Sequence, residues 1–181
     1  LNLRENVGVT FSNELKISVD GSLPQSQLDG VPLDASNLVV RAGHLVTDET
    51  LAYSISKHVP VAGGMGGGSA DAAAALVATE ALTGHRAKKD PVALGADVPF
   101  AIMGGVALGT GVGEKLVPLS LAAELHIVLI ASEGGLSTPA VYSRLDELRE
   151  QANLVPQFNP PTPTELIEAL QIGDAEAISR F

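Results

Sequence analysis

The chain has 181 residues, of which 45% are hydrophobic and 18% charged, with a formal net charge of −10 and no cysteine. That balance suits one sizeable globular domain, or one domain and the beginning of a second. It excludes disulfides and thiolate metal sites, and an acidic surface repels nucleic acid and anionic membrane, whose capture depends on Lys and Arg. No apolar run approaches the ~20 residues that span a bilayer, and the N-terminus lacks the charged-then-apolar pattern of a signal peptide. The four histidines show no paired metal-ligand spacing. A cytoplasmic protein without nucleic-acid or membrane partners is expected.

In chain order, Val7–Phe11 and Leu15–Val19 alternate with period two on either side of the turn-like Ser12-Asn13 and read as strands. A loop rich in Gly, Ser, Pro and Asp runs from Asp20 to Ser36. Leu38, Val39, Ala42 and Leu45 form a helical stripe within Asn37–Val46. Ile55–Val61 reads as a short strand feeding a glycine segment, and Ser69–Leu82 as an alanine-dense helix. Leu108–Leu119 suggests a hairpin turning through Gly109–Gly113. The near-continuous apolar run Leu125–Ala131 reads as a buried strand. Thr138-Pro139 offers a capping hydroxyl followed by a proline at the first helical position. Thr162-Pro163-Thr164-Glu165 has the spacing of a capping box. Between these helix starts, Val155–Pro163 contains four prolines and reads as a linker or long loop. Strands first and helices later define an α+β class.

The most informative segment is Pro60-Val61-Ala62-Gly63-Gly64-Met65-Gly66-Gly67-Gly68-Ser69-Ala70. Five of the six residues from 63 to 68 are glycine. Without Cβ atoms the chain can reach positive φ and converge successive N–H groups on one anion. A helix starting near Ser69 adds unsatisfied donors and the positive end of its dipole. A tight turn that merely packs is the alternative. Ordering five glycines costs much conformational entropy, and seven alanines between Ala70 and Ala81 suggest close backbone approach. Both favour a phosphate cradle. It is not a Walker loop, because Ser69 stands where lysine is required, and the same Ser69 breaks the dinucleotide fingerprint.

Pro60–Ala75 resembles the second signature of the GHMP kinases. Leu94-Gly95-Ala96-Asp97-Val98-Pro99-Phe100 resembles their catalytic-aspartate segment, and Gly105–Leu119, with Gly111-Val112-Gly113-Glu114, their following hairpin. Asn37–Ala42 is similar to their adenine-side helix. Within the superfamily, Gly66–Ala74 is most similar to members that use ATP to phosphorylate the 2-hydroxyl of a cytidine diphosphate-linked methylerythritol in non-mevalonate isoprenoid biosynthesis. The resemblance implies a two-domain fold. Residues 1–133 would be a ribosomal S5 domain 2-like, ATP-binding N-terminal domain, and 134–181 the incomplete beginning of a C-terminal α/β domain.

The same resemblance implies site residues. ATP, with Mg²⁺, would be held by Pro60 to Ala70 together with Lys57, Asn37 and Leu38. Asp97 would be the catalytic carboxylate, and Ser69 would reach phosphate or the metal. Asn2, Asp97, Thr138 and Tyr142 would contact the small-molecule substrate, with Tyr142 stacking on cytosine. Without the family, Asp97 reads as a turn or capping residue, Lys57 as a solvated lysine, Ser69 as a helix cap and Tyr142 as a helix residue packed on the core.

The pattern also departs from the family. Its first signature is Lys, an apolar residue, Asn and Leu, whereas this chain opens at Leu1-Asn2-Leu3. Its Tyr-His substrate segment is missing where Arg4-Glu5-Asn6 runs into a strand, and His85–Ala93 is too short for the usual helix. The third glycine-rich signature is not reached before Phe181. These breaks are expected to be omitted segments of a longer protein, since they fall where substrate-gating loops would lie; a truncated, inactive protein is the alternative. The competing functions are another GHMP small-molecule kinase, a non-catalytic nucleotide-binding module, and a structural domain whose glycines serve packing alone.

Overall fold

The computed structural model describes residues 3–122, 124–130, 136–154 and 161–181. The elements run β1 (Asn6–Phe11), β2 (Lys16–Gly21), α1 (Gln25–Leu28), α2 (Leu38–Val46), β3 (Leu51–Lys57), α3 (Gly67–Thr83), α4 (Val98–Met103), β4 (Val106–Thr110), β5 (Lys115–Leu119), α5 (Thr138–Gln151), α6 (Thr164–Ile172) and α7 (Ala175–Ile178). The chain divides into two compact units, one of Leu1–Gly104 with Gly109–Leu116, the other of Gly105–Leu108 with Val117–Phe181. The architecture is α+β.

In the first unit β3 lies between β1 and β2. β1 runs antiparallel to it, with Val7 opposite Ile55 and Val9 opposite Tyr53. β2 runs parallel, with Ile17 opposite Tyr53 and Val19 opposite Ile55. The two strands flanking Ser12-Asn13 therefore do not pair with each other. β3 carries the most buried face, Leu51, Tyr53, Ile55 and Lys57, and takes the central place, where both of its edges are covered.

Helices α2 and α3 cover that face and share a core with Leu94 and Val98. The alanines Ala72, Ala73 and Ala75 are buried there, and their short side chains let α3 approach α2 closely. Asn37 caps α2, accepting from Val39 N at 3.0 Å and donating to Pro32 O at 2.6 Å. Gly43 makes the tightest approach. A Cβ there would stand 2.0 Å from Tyr53 Oη, so only glycine lets α2 rest on this ring. Burial pushes the Tyr53 hydroxyl pKa up to about 12.

α3 begins two residues before the expected Ser69. Gly66 caps it at φ 68° and Gly84 ends it at φ 72°. Both are left-handed positions that suit glycine. The expected hairpin forms from β4 and β5, its turn held by Glu114, which accepts from Val112 N at 2.7 Å.

In the second unit α6 and α7 adjoin through Gly173, and Ala122 N donates to Leu170 O at 3.2 Å. The apolar run expected as a buried strand has no regular structure over 124–130, and Val128 and Ile130 are 88% and 94% exposed. A strand needs a ladder partner, and among the described residues none pairs with it; Ala131 lies outside them. α5 starts with Ser137 in the cap position and α6 with Pro163, neither making a side-chain cap bond. Proline occupies the cap slot of the expected capping box. Thr162 uses its carbonyl instead, accepting from Thr164 N at 2.8 Å. Of the expected linker, 155–160 lie outside the described residues. Among the described residues no helix is long and apolar enough to cross a membrane.

Candidate functional site

The glycine segment leaves the core face of the sheet at Lys57 and returns as α3. Gly63 N donates to Pro60 O at 3.2 Å, closing a tight turn. Ala62, Gly64 and Gly66 then take positive φ of 56°, 69° and 68°. Left-handed backbone costs a non-glycine residue on the order of 1 kcal/mol, so Ala62 is held there by its neighbours. Where a Cβ would stand on Gly64 or Gly66 there is nothing within 4 Å. The loop is open on that side.

The first intrahelical bond of α3 is Ala70 N to Gly66 O at 2.9 Å. The amides of Gly67, Gly68 and Ser69 are therefore free helix-terminal donors. Those of Gly64, Met65 and Gly66 have no partner among the described residues. Consecutive unpaired amides beside open space, at the positive end of a helix of 17 residues, are an arrangement that can hold an anion.

Both ends of this loop are tied down from elsewhere. Val61 N donates to Gln27 Oε1 at 3.1 Å. Glu5 accepts from His58 N at 2.9 Å and from Val59 N at 3.3 Å. Lys57 Nζ sits between Glu5 Oε1 at 2.6 Å and Asp71 Oδ2 at 2.8 Å. The three side chains are 2–8% exposed, and Asp71 Oδ1 is buried without a hydrogen-bond partner. Burial pulls the Lys57 pKa down, but bonds to Asp71 and Glu5 outweigh it and the net shift is upward. Burial pushes the Asp71 carboxyl up. Lys57 offsets this only in part, and the Glu5 charge pushes it further.

Asp97 precedes α4 in the cap position, yet its side chain makes no capping bond and the residue is exposed. The capping reading of this aspartate is not realised. Two residues earlier, a Cβ on Gly95 would stand 3.9 Å from Ser69 Oγ. The aspartate segment therefore passes close to the first turn of α3. A Cβ on Gly68 would stand 3.6 Å from Leu38 Cδ1, so the start of α2 also borders the cradle. The first unit thus gathers residues 60–70 with Leu38, Ser69 and the Asp97 segment, with Lys57 beneath. Asn37 is buried and engaged as a helix cap. Thr138 and Tyr142 lie on α5 of the second unit. Tyr142 is 63% exposed, and α5 has no buried residue. Asn2 lies outside the described residues.

Sequence reasoning missed Glu5, Asp71 and Gln27. A signal for the first two was present. Lys57 continues the alternation Leu51, Tyr53, Ile55 onto the core face, and a buried ammonium requires carboxylates. Glu5 shares the register of Val7 and Val9, and Asp71 adjoins the buried Ala72.

Residues 37–105, which contain the glycine loop and Asp97, match the family model of the GHMP kinases N terminal domain. Individual relatives narrow the similarity. The chain is 43% identical over 187 residues to the 4-diphosphocytidyl-2-C-methyl-D-erythritol kinase of Pseudarthrobacter chlorophenolicus, covering 98% of this chain and 57% of that protein. It is 44% identical to the enzyme of the same name from Streptomyces avermitilis, covering 98% of this chain and 61% of that one. A crystal structure of 4-(cytidine 5'-diphospho)-2C-methyl-D-erythritol kinase superposes with a TM-score of 0.56 at 27% identity, covering 93% of this chain and 59% of the other. The chain spans 57–62% of the length of the curated relatives it matches.

Proposed function

We propose that this chain is the nucleotide-binding part of an ATP-dependent kinase that phosphorylates the 2-hydroxyl of 4-diphosphocytidyl-2-C-methyl-D-erythritol in non-mevalonate isoprenoid biosynthesis. The observation that carries the reading is the row of unpaired amides from Gly64 to Ser69 at the start of α3, in a chain whose relatives bear that name. The amides grip the β- and γ-phosphates, and Leu38 with Pro60 and Val61 flank the nucleotide. Residues 1–133 form the ATP-binding domain, and 134–181 begin the second. Tyr142 and Thr138 of that second part meet the cytidine moiety.

Phosphoryl transfer needs positioning and charge stabilisation more than covalent help. The exposed Asp97 carboxylate, not committed to capping, orients the substrate hydroxyl and accepts its proton. Among the described residues no group of three or more His, Asp or Glu side chains is placed to hold a metal. Ser69 Oγ is the protein group at the cradle that would hold Mg²⁺, which would neutralise phosphate charge there.

Asp97→Asn in the whole enzyme tests the assignment. Nucleotide affinity should stay within about twofold, while turnover falls by roughly 10²-fold or more, the usual scale for loss of a general base. Turnover equal to wild type, measured by coupled ADP release on the cytidine-linked substrate, would remove Asp97 from the mechanism.

A further inference from the structure

The loop between β3 and α3 is a bridge, and one buried charge cluster touches both of its ends. Lys57 is the last residue of β3, Asp71 lies in the first turns of α3, and their ion pair joins the two across the base of the loop at 2.8 Å. Glu5, just ahead of β1, binds the same ammonium at 2.6 Å and also holds the first two amides beyond β3, those of His58 and Val59. α3 settles directly on this cluster. A Cβ on Gly67 would meet Glu5 Oε1 at 3.2 Å, Val59 Cγ1 at 3.3 Å and Lys57 Nζ at 3.4 Å, so a glycine there lets the helix start sit down on it.

We propose that Glu5, Lys57 and Asp71 act as an ionic clamp that sets the spacing of the two ends of the glycine loop, making Lys57 a positioning residue for the nucleotide phosphates and not a phosphate ligand. The proposal rests on the reading of the loop as a phosphate site and deepens it. The Lys57 side chain is 5% exposed, beneath the loop and away from its open side. The cluster holds two carboxylates for one ammonium and leaves Asp71 Oδ1 unpartnered. A buried surplus charge of this kind is a poor stabiliser of a fold, which points to a geometric purpose. A loop rich in glycine has many conformations to lose on gripping a phosphate, and fixing its ends removes part of that entropy before the ligand arrives.

The test compares ATP with adenosine, which shares the base and sugar but lacks phosphates, by calorimetric titration of the 181-residue chain and four variants. Thermal unfolding of each is measured alongside. In Glu5→Gln, an amide N–H must face Lys57 or one of the backbone amides, so a clamp bond is lost; Lys57→Met removes the ammonium. Each should raise the Kd for ATP roughly tenfold, equivalent to ~1.4 kcal/mol of lost preorganisation, with adenosine affinity within about twofold. Lys57→Arg should restore most of the ATP affinity. Asp71→Asn replaces the ion pair that joins β3 to α3 by a neutral hydrogen bond, and should raise the Kd for ATP roughly threefold, with adenosine affinity within about twofold.

Tighter ATP binding by Glu5→Gln would show a released ammonium acting as a direct ligand and overturn the clamp. So would equal losses of ATP and adenosine affinity in step with a lower Tm, which mark a merely structural role, and so would unchanged ATP affinity in both variants that break the cluster. If the unaltered chain showed no preference for ATP over adenosine, the phosphate reading of the loop would itself fail, and the clamp with it. That outcome is separable from the others because it appears before any substitution.

Discussion

Replacing Gly68 by alanine adds a methyl group 3.6 Å from Leu38 Cδ1, an ordinary van der Waals distance, at a residue that is already helical. The fold alone should welcome it. Gly-to-Ala within a helix gains up to about 1 kcal/mol, which raises Tm by roughly 2–4 °C for a chain of this size. Gly66 is the contrasting position. A methyl there meets nothing within 4 Å, but the backbone sits at φ 68°, and alanine in that conformation costs about 1–2 kcal/mol. The open side of the loop and the gap beside Leu38 are where the proposed nucleotide lies. Gly68→Ala narrows that gap and lifts the phosphates from the amides. Losing one charge-assisted amide–phosphate bond costs about 1.5–3 kcal/mol, a roughly ten- to hundredfold weaker Kd. Thermal unfolding and calorimetric ATP titration of Gly68→Ala should therefore move in opposite directions, to a more stable protein and poorer binding. A Gly68→Ala protein that binds ATP as well as wild type would refute the placement of the phosphates, and one that unfolds early would refute the packing argument.

Three further outcomes follow from the packing and hydrogen bonds of the first unit. Gly43→Ala forces a methyl to within 2.0 Å of the Tyr53 hydroxyl, and overpacking of a closed core costs about 1–3 kcal/mol. Tyr53→Phe in the same chain removes that oxygen and should recover most of the loss in urea unfolding; strictly additive effects would mean that the contact is not the cause. The Glu80 carboxylate accepts from Ala87 N at 2.9 Å and from Arg86 at 2.6 Å, and the bond from Ala87 N chiefly holds its pKa below the ordinary value of 4.5. Its contribution to stability is present above that value and lost as pH falls through the depressed one. Glu80→Gln should consequently shrink the stability difference between pH 7 and pH 3 measured by denaturant unfolding, and an unchanged difference would contradict the assignment. Ala62→Gly should release the strain at φ 56°, and because the gain in loop freedom opposes that relief, stability should change by less than about 1 kcal/mol; a larger loss in urea unfolding would show that the methyl group packs usefully.

The loop and its helix were legible in the sequence because their signals are local. Glycines permit the left-handed turns, and alanines permit the close helix behind them. Strand pairing was not legible, because the place of β3 between β1 and β2 depends on pairing between segments far apart in the chain. Leu125–Ile130 shows the limit of periodicity: an apolar run states a preference for burial but does not supply a ladder partner. The family signature led to Asp97, while the backbone around it suggested only a turn or a cap; the residue lies in a turn and its carboxylate makes no capping bond. Without the family Lys57 reads as a solvated lysine, although its register with Ile55 and Tyr53 places it inward. The carboxylates that hold it come from Glu5 and Asp71, far apart in sequence, and only the fold brings them together.

The central claim is that phosphates bind to the free amides at the mouth of α3. Titration of the ¹⁵N-labelled chain with ATP, followed by amide chemical shifts, tests it most directly. The largest shifts should fall on Gly64 to Ser69, and adenosine should leave those resonances nearly in place. Large phosphate-dependent shifts confined to other residues, with Gly64 to Ser69 unmoved, would contradict it.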